Sequence, residues 1–192
     1  MSVLCCSFMT PQYAKYAYSG LKHWNSELHC NYYIASKVCK DWPKDFSISI
    51  LKNQCLEAAS FSHYDWMILM PGIDSSLISL PKEESLDQNI IYTGYRTFGI
   101  GAESCSLHLY SRKIFEKYRY NENYRYFYDD YDFFYNVTRS IPKKSTKDLL
   151  CRSQEHPSLL ENPYIKEVAQ KERRCFLNSY LSINGHEFPR LV

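Results

Sequence analysis

The chain has 192 residues, enough for one α/β domain with a full hydrophobic core and too few for two comfortable ones. Its formal net charge is +2 at pH 7, which gives no bulk electrostatic case for binding nucleic acid or a membrane surface. No apolar run approaches the roughly 18 residues that a transmembrane helix needs. Eight cysteines occur without any Cys-x-x-Cys pair, which argues against a zinc site and favours a reduced, cytoplasmic setting.

The first part of the chain alternates short apolar runs with helical patterns. The predicted elements are a strand over 3–9, a helix over 13–28, a strand over 30–35, a helix over 47–60 and a strand over 66–70. This β-α-β opening is typical of a right-handed parallel crossover. The sequence therefore predicts a single α/β domain over 1–192, with a mixed, mostly parallel sheet flanked by helices. Its core would span 3–156, and a C-terminal helix and tail would follow over 157–192.

The stretch from Tyr64 to Asp74 is the centre of this prediction. Five consecutive apolar residues, Trp66 to Met70, run into Pro71-Gly72, a pattern typical of a strand buried on both faces. The turn leaves Asp74 at the carboxyl end of the strand, where open α/β sheets bind their ligands. The structural alternative is a core strand followed by a solvated loop aspartate.

The rest of the chain continues the same alternation. The prediction is a polar surface loop over 75–87, strands over 89–92 and 104–110, helices over 112–117 and 129–137, a last strand over 143–151 and a closing helix over 162–177. No strand-GxGxxG-helix unit and no GxxxxGK[ST] segment is present, which disfavours a nicotinamide, flavin or P-loop site. Asp129, Asp130 and Asp132 open the helix at 129, and simple complementation of its dipole is the alternative to a catalytic role.

Four segments together resemble the GT-A fold of nucleotide-sugar glycosyltransferases, of the family 2-like or galactosyltransferase-like kind. The segments are Lys52–Ala58, similar to an Arg-Asn-x-Gly-x-x-x-Ala helix; Tyr64–Asp74, similar to the strand ending in Asp-x-Asp; Leu107–Phe115, similar to a strand-Arg-x-x-Phe segment; and Asp129–Phe133, similar to Glu-Asp-x-Asp-Leu/Phe. The likeness covers residues 3–156. It implies a hexosyl- or pentosyltransferase of polysaccharide biosynthesis, which moves a sugar from a UDP- or GDP-sugar to a glycan or other hydroxyl acceptor.

The resemblance also implies roles for individual residues. The second acid of the late motif, Asp130, would be the base of an inverting transfer, because a single base stands opposite the leaving group. The supporting or acceptor-side positions are Asp129, Asp132, Tyr128 and Glu103. The nucleotide-binding positions are Thr10, Pro11, Lys52, Asn53, Gly72 and Asp74. Tyr124, Tyr126 and Tyr128 alternate along an extended segment, and either stack on an acceptor sugar or pack in the core.

A divalent cation, Mn²⁺ or Mg²⁺, is the cofactor that the resemblance implies, with Asp74 and the late loop residue His156 as its ligands. Gly72 stands where Asp-x-Asp has its first acid, so the dependence on metal is reduced or lost. Ser36-Lys37 replaces the usual acid after the second strand, which leaves the donor base open. The alternative is a catalytically silent GT-A-like domain that binds a glycan or a partner. The missing acid favours that alternative, and the cluster at Asp129–Asp132 argues against it.

Overall fold

The computed structural model describes residues 1–14, 28, 30–72, 74–97, 103–137, 139–153 and 158–184. The described strands are β1 (Val3–Phe8), β2 (Asn31–Ala35), β3 (Trp66–Leu69), β4 (Ser75–Ser79), β5 (Ile91–Thr97), β6 (Glu103–Ser111) and β7 (Lys143–Ser153). The described helices are α1 (Ile48–Ser60), α2 (Arg112–Lys117), α3 (Asp129–Val137) and α4 (Pro163–Asn184). Most of the helix predicted over 13–28 lies outside the described residues. Within the described part, no helix combines the length and apolar character needed to cross a membrane.

The strands form one sheet in the order β2-β1-β3-β6-β5-β7-β4. β1 pairs in parallel with β2 and β3, as predicted, and β5 pairs in parallel with β7. β6 is antiparallel to both β3 and β5, and β4 is antiparallel to β7. Parallel and antiparallel pairings are thus equally frequent among the described strands. The sheet is mixed, and the predicted parallel arrangement describes its β2-β1-β3 half.

The prediction that β3 is a central strand is confirmed. All four of its residues are at most 3% exposed, because both faces of the sheet are covered. Met67 and Leu69 pack into the larger core cluster with Leu51 of α1, whereas Trp66 and Ile68 pack into a second cluster on the opposite face. This two-sided burial explains why the strand is continuously apolar rather than alternating.

The polar stretch after β3 is only partly a loop. Residues 75–79 form β4, which pairs at the edge of the sheet with β7 and buries Leu77 opposite Cys151. The prediction missed this strand because three of its five residues are serine and one buried leucine gives little periodic signal. At the other end of the chain, α4 continues to Asn184, beyond its predicted end at 177.

One edge of the sheet brings together chain segments that carry predicted site residues. The C-terminal ends of β1, β3, β5 and β7 meet there with the N-terminal ends of β6 and β4, and we call this the C-terminal edge. β4 lies four positions from β3 in the sheet, so the connection over 70–74 crosses this edge. Asp74 therefore lies at the C-terminal edge, immediately before β4.

Candidate active site

Three charged side chains meet beside the C-terminal end of β1. The Nζ atom of Lys52 lies 2.8 Å from Oδ2 of Asp129 and 2.8 Å from Oδ1 of Asp130. The side chains of Lys52 and Asp129 are each 4% exposed, whereas that of Asp130 is 23% exposed. The buried Lys52 ammonium therefore pairs with the first two acids of α3. Of these three side chains, only that of Asp130 is appreciably exposed to solvent. We call these three residues the ion cluster.

The position of Lys52 follows from the way α1 packs on the sheet. Ser47 caps the helix by accepting a hydrogen bond from the backbone N–H of Ile50, and the Cys55 thiol donates to the carbonyl of Ser7 at 3.4 Å. Leu51 is fully buried against the sheet, so the next residue, Lys52, emerges at the flank of the helix that faces α3. Sequence and packing together thus place the ammonium group at the C-terminal edge.

Aromatic rings surround the ammonium group. It lies 4.9 Å from the ring centroid of Tyr120 and 5.9 Å from that of Phe8, the last residue of β1. Tyr120 stacks on Phe133 at 4.2 Å, and its hydroxyl shares a 2.8 Å hydrogen bond with that of Tyr110. Ring faces attract a desolvated cation and leave it little room to move. The surrounding rings therefore help to stabilise the buried ammonium group of the ion cluster.

The protonation of the ion cluster is set by burial and by its mutual charges. Burial raises the pKa of Asp129 to about 6, against the opposing effect of the Lys52 ammonium. Burial acts to lower the pKa of Lys52, but the two carboxylates outweigh it and raise that pKa above its ordinary value. Burial thus opposes ionisation of Asp129, whereas the two neighbouring carboxylates favour the charged form of Lys52.

Asp132 does not belong to this cluster. It follows Asp130 by two residues, which is about 200° around a helix, so the two side chains leave α3 in different directions. The Asp132 carboxylate interacts with the side chains of Asn121 and Asn136, and burial raises its pKa. The structure therefore separates the predicted acidic trio into a pair at Lys52 and a single acid on another side of the helix.

Tyr128 makes the turn that presents the two acids. Its φ angle is 63°, in the left-handed region that non-glycine residues seldom occupy, and its carbonyl accepts a 2.9 Å hydrogen bond from the N–H of Asp132. Its ring packs 5.4 Å from that of Tyr131. Tyr124 and Tyr126 are buried, so these two tyrosines pack in the core rather than lie open for stacking on a sugar.

His108 is a buried residue beside the ion cluster that the sequence did not reveal. It lies on β6 opposite Leu69 of β3, and its ring contacts that of Phe134 edge-on at 4.6 Å. Its Nδ1 atom forms no hydrogen bond with any residue that the structure describes. Burial lowers its pKa to about 4, although the charge of Asp130 acts in the opposite direction. The imidazole is therefore neutral at physiological pH.

The low pKa of His108 makes stability depend on pH. Between its ordinary pKa of 6.5 and the folded value of about 4, the unfolded chain binds a proton that the folded chain does not, so acidification favours unfolding. Glutamine does not titrate, so the stability of the wild type relative to His108→Gln should fall by about 3 kcal/mol from pH 7 to pH 4. Urea unfolding of both proteins at these pH values measures this difference.

Asp129 titrates in the same pH window with the opposite sign, because its folded pKa is raised. Its contribution is common to both proteins and cancels in the comparison. A stability difference between wild type and His108→Gln that stays constant from pH 7 to pH 4 would contradict a neutral, buried His108.

Four of the six predicted nucleotide-binding residues fall into two groups, and the other two are Gly72 and Asp74. Thr10 and Pro11 follow β1 at the C-terminal edge, and the buried Thr10 hydroxyl forms no hydrogen bond with the described residues. In contrast, the amide of Asn53 is engaged by the backbone of Tyr120 and by Glu122. The ammonium of Lys52 is likewise engaged, by Asp129 and Asp130.

Asp74 and Gly72 pack against each other. Asp74 is buried, and its Oδ1 atom lies 2.6 Å from the position that a Cβ atom on residue 72 would take. Any side chain at this position would force the carboxylate to move. A glycine at position 72 therefore leaves space for the Asp74 carboxylate.

Asp74, one of the two predicted metal ligands, lies beside the pairing of β4 with β7. Ser75 pairs with Ser153 at the C-terminal edge, and their Oγ atoms are 2.5 Å apart. Asp74 precedes Ser75, and His156 follows Ser153 by three positions but lies outside the described residues. The described residues include no group of three or more potential ligands. A single carboxylate still fits Mg²⁺ or Mn²⁺, which commonly bind one or two carboxylates together with substrate phosphates.

Glu103 begins β6, where its backbone is in register with Arg96 of β5. This places the residue at the C-terminal edge, and its side chain lies outside what the structure describes. Its acceptor-side role stays a prediction.

Comparison with known proteins adds a fold assignment. No protein-family model and no curated protein sequence matches the chain. The structure is similar to the crystal structure of a glycosyltransferase involved in the glycosylation of the major capsid of PBCV-1, with a TM-score of 0.56 and 11% sequence identity, over 90% of this chain and 100% of that one. The chain has a glycosyltransferase fold. At this identity the likeness concerns the glycosyltransferase fold alone.

Proposed function

We propose that the protein transfers a sugar from a nucleotide-diphosphate donor to a glycan or other hydroxyl acceptor, with inversion and with Asp130 as the base. The observation that carries this proposal is the unequal exposure of the two carboxylates on Lys52. Asp129 is buried and pairs with Lys52. The Asp130 carboxylate also pairs with Lys52 but is partly exposed, so it can accept a proton from a bound acceptor. The glycosyltransferase fold and the position of the cluster at the C-terminal edge support the same assignment.

The reaction is a displacement at the anomeric carbon. The acceptor hydroxyl gives its proton to the Asp130 carboxylate as its oxygen attacks this carbon, and the bond from the carbon to the diphosphate oxygen breaks. The nucleoside diphosphate leaves with the electron pair. Attack from the side opposite the leaving group inverts the configuration, as a single positioned base requires. Lys52 orients Asp130 and offsets its repulsion by Asp129.

The donor side of the site is assigned to the chain around Thr10 and Asp74. The Thr10 hydroxyl is a buried polar group that a nucleotide can satisfy. Asp74, with His156, would hold a divalent cation, and that cation would neutralise the charge growing on the diphosphate. Lys52 and Asn53 act in this proposal by fixing the site, because their polar atoms are already engaged within the protein.

A catalytically silent domain that binds a glycan or a partner is the second candidate. The presence of Gly72 in place of an acid favours it, because one carboxylate holds a cation more weakly than two. Thermal unfolding with a panel of nucleoside diphosphates, followed by assay of their release from the matching nucleotide sugars, separates the candidates. We expect one diphosphate to stabilise the protein by about 2.7 kcal/mol at about 100 times its Kd, and its sugar to be turned over. Binding without turnover would favour the silent domain, and absence of both would overturn the proposal.

The role of Asp74 predicts a change in the metal-dependent part of that stabilisation. In Asp74→Ala, Mn²⁺ should add little to the stabilisation by the diphosphate, whereas the metal-independent part should persist. Asp148→Ala is the matched control, because it removes an exposed carboxylate from the same sheet. Thermal unfolding with diphosphate alone and with diphosphate plus Mn²⁺ measures both parts. An unchanged response of Asp74→Ala to Mn²⁺ would remove Asp74 from the metal ligands.

A further inference from the structure

The carboxylate of Glu172, on α4, binds the backbone of the segment that leads into the ion cluster. Its Oε1 atom accepts a hydrogen bond from the N–H of Arg125, and its Oε2 atom accepts one from the N–H of Phe127 at 2.8 Å. The N–H of Tyr126 lies 3.3 Å from both oxygens. Glu172 is 5% exposed. Three consecutive N–H groups thus share one buried anion, an arrangement that fixes the backbone strongly.

The same face of α4 supports the turn at the start of α3. Phe176 follows Glu172 by four residues, so both side chains leave the helix on one side. Its ring lies 5.7 Å from that of Tyr128 and 6.0 Å from that of Tyr131. These two tyrosines flank Asp129 and Asp130 in the chain. One face of α4 therefore holds the backbone before the two acids and the rings on either side of them.

Arg125 connects this support to the other half of the ion cluster. Its carbonyl accepts a 2.6 Å hydrogen bond from the N–H of Ile48, the first residue of α1. Its guanidinium donates to the carbonyl of Phe46 through Nε at 3.1 Å and Nη2 at 2.8 Å. The segment that Glu172 fixes is thus bonded to the start of the helix that carries Lys52. A shift of this segment would move Lys52 relative to Asp130.

From these contacts we infer that Glu172 is a positioning residue for the transfer reaction: it acts through Arg125–Phe127 to set Asp130 against Lys52 and the acceptor. This inference rests on the proposed function. Glu172 touches neither donor nor acceptor, so its loss should affect turnover much more than binding of the donor. Displacement of a reacting group by about 1 Å can slow a positioned reaction by about 10²-fold.

Glu172→Gln tests the inference, with Glu167→Gln as the matched control. Glutamine replaces one acceptor oxygen by an N–H₂ group, so at least one of the three backbone N–H groups loses its partner. Glu167 is exposed on the same helix and pairs only with Lys171 at 2.7 Å among the described contacts. We expect kcat of Glu172→Gln to fall about tenfold or more and the donor KM to change less than about threefold. Amide hydrogen exchange over 125–130 should become faster. The control Glu167→Gln should match the wild type in kcat, in the donor KM and in amide exchange.

The outcomes separate this inference from the proposed function. Faster exchange over 125–130 with a wild-type kcat would overturn the positioning role and leave the transferase intact. A loss of kcat that equals the loss of folded protein would show a purely structural role and would also overturn it. If Glu172→Gln does not fold, Phe176→Leu tests the same face of α4 with the same measurements. Absence of any transfer by the wild type would overturn the proposed function itself.

Discussion

Replacing Lys52 with methionine is expected to lower the free energy of unfolding by about 3–5 kcal/mol. The ammonium group is buried between two carboxylates at 2.8 Å, and methionine fills similar space without a charge. The variant leaves Asp129 desolvated and next to the like charge of Asp130. Removing one partner of a buried ion pair is costly because the remaining charge has neither water nor a counter-ion. Urea unfolding at pH 7 measures the loss.

Lys44→Met is the matched control for this variant. Lys44 forms an ion pair with Asp41 in which both side chains are exposed, so the same substitution should cost less than about 1 kcal/mol. Combining Lys52→Met with Asp129→Asn should recover part of the lost stability, because the unpaired buried charge is then removed. A loss below about 1 kcal/mol for Lys52→Met would contradict the buried ion cluster.

Asp130→Asn is expected to reduce sugar transfer by about 10²–10⁴-fold while leaving the stabilisation by nucleoside diphosphate nearly unchanged. Asparagine has the shape of aspartate and its oxygen can still accept the hydrogen bond from Lys52. It cannot take a proton from an acceptor hydroxyl, so only the chemical step should suffer. Initial rates of diphosphate release and the thermal shift with diphosphate measure the two effects on the same preparations.

Asp132→Asn is the control for this second prediction. Asp132 lies on the same helix, but its carboxylate interacts with Asn121 and Asn136 rather than with Lys52. We expect its rate of transfer to stay within about tenfold of the wild type, below the range for loss of a general base. If both variants lose activity equally, or if Asp130→Asn also loses the stabilisation by diphosphate, Asp130 has a structural role rather than that of the base.

The features that the sequence could predict are those with a local physical signature. β3 is apolar along its whole length because it is buried on both faces, and this pattern is visible without knowledge of its partners. The start of α3 is marked by acids that complement a helix dipole. The parallel pairing of β1 with β2 and β3 follows from the alternation of strands and helices.

The features that the sequence could not predict depend on contacts between distant residues. Lys52 and Asp130 are 78 positions apart, and an Arg-like position in a motif does not reveal that its charge is buried against two acids. The pairing of Glu172 with Arg125 spans 47 positions. His108 is a polar residue at an inward position of β6, and a single histidine in an apolar strand carries no recognisable spacing. The sequence does not predict β4, because its pairing with β7 stabilises it as a strand while its own serine-rich sequence gives little strand signal.

A crystal structure of the protein with bound nucleoside diphosphate and Mn²⁺ is the most direct measurement of the central claim. We expect the nucleotide at the C-terminal edge, with its diphosphate between Thr10 and Asp74. The Asp130 carboxylate should face the diphosphate across the space that the donor sugar occupies. A nucleotide bound elsewhere on the molecule, or Asp74 and Asp130 opening onto separate surfaces, would contradict sugar transfer at this site.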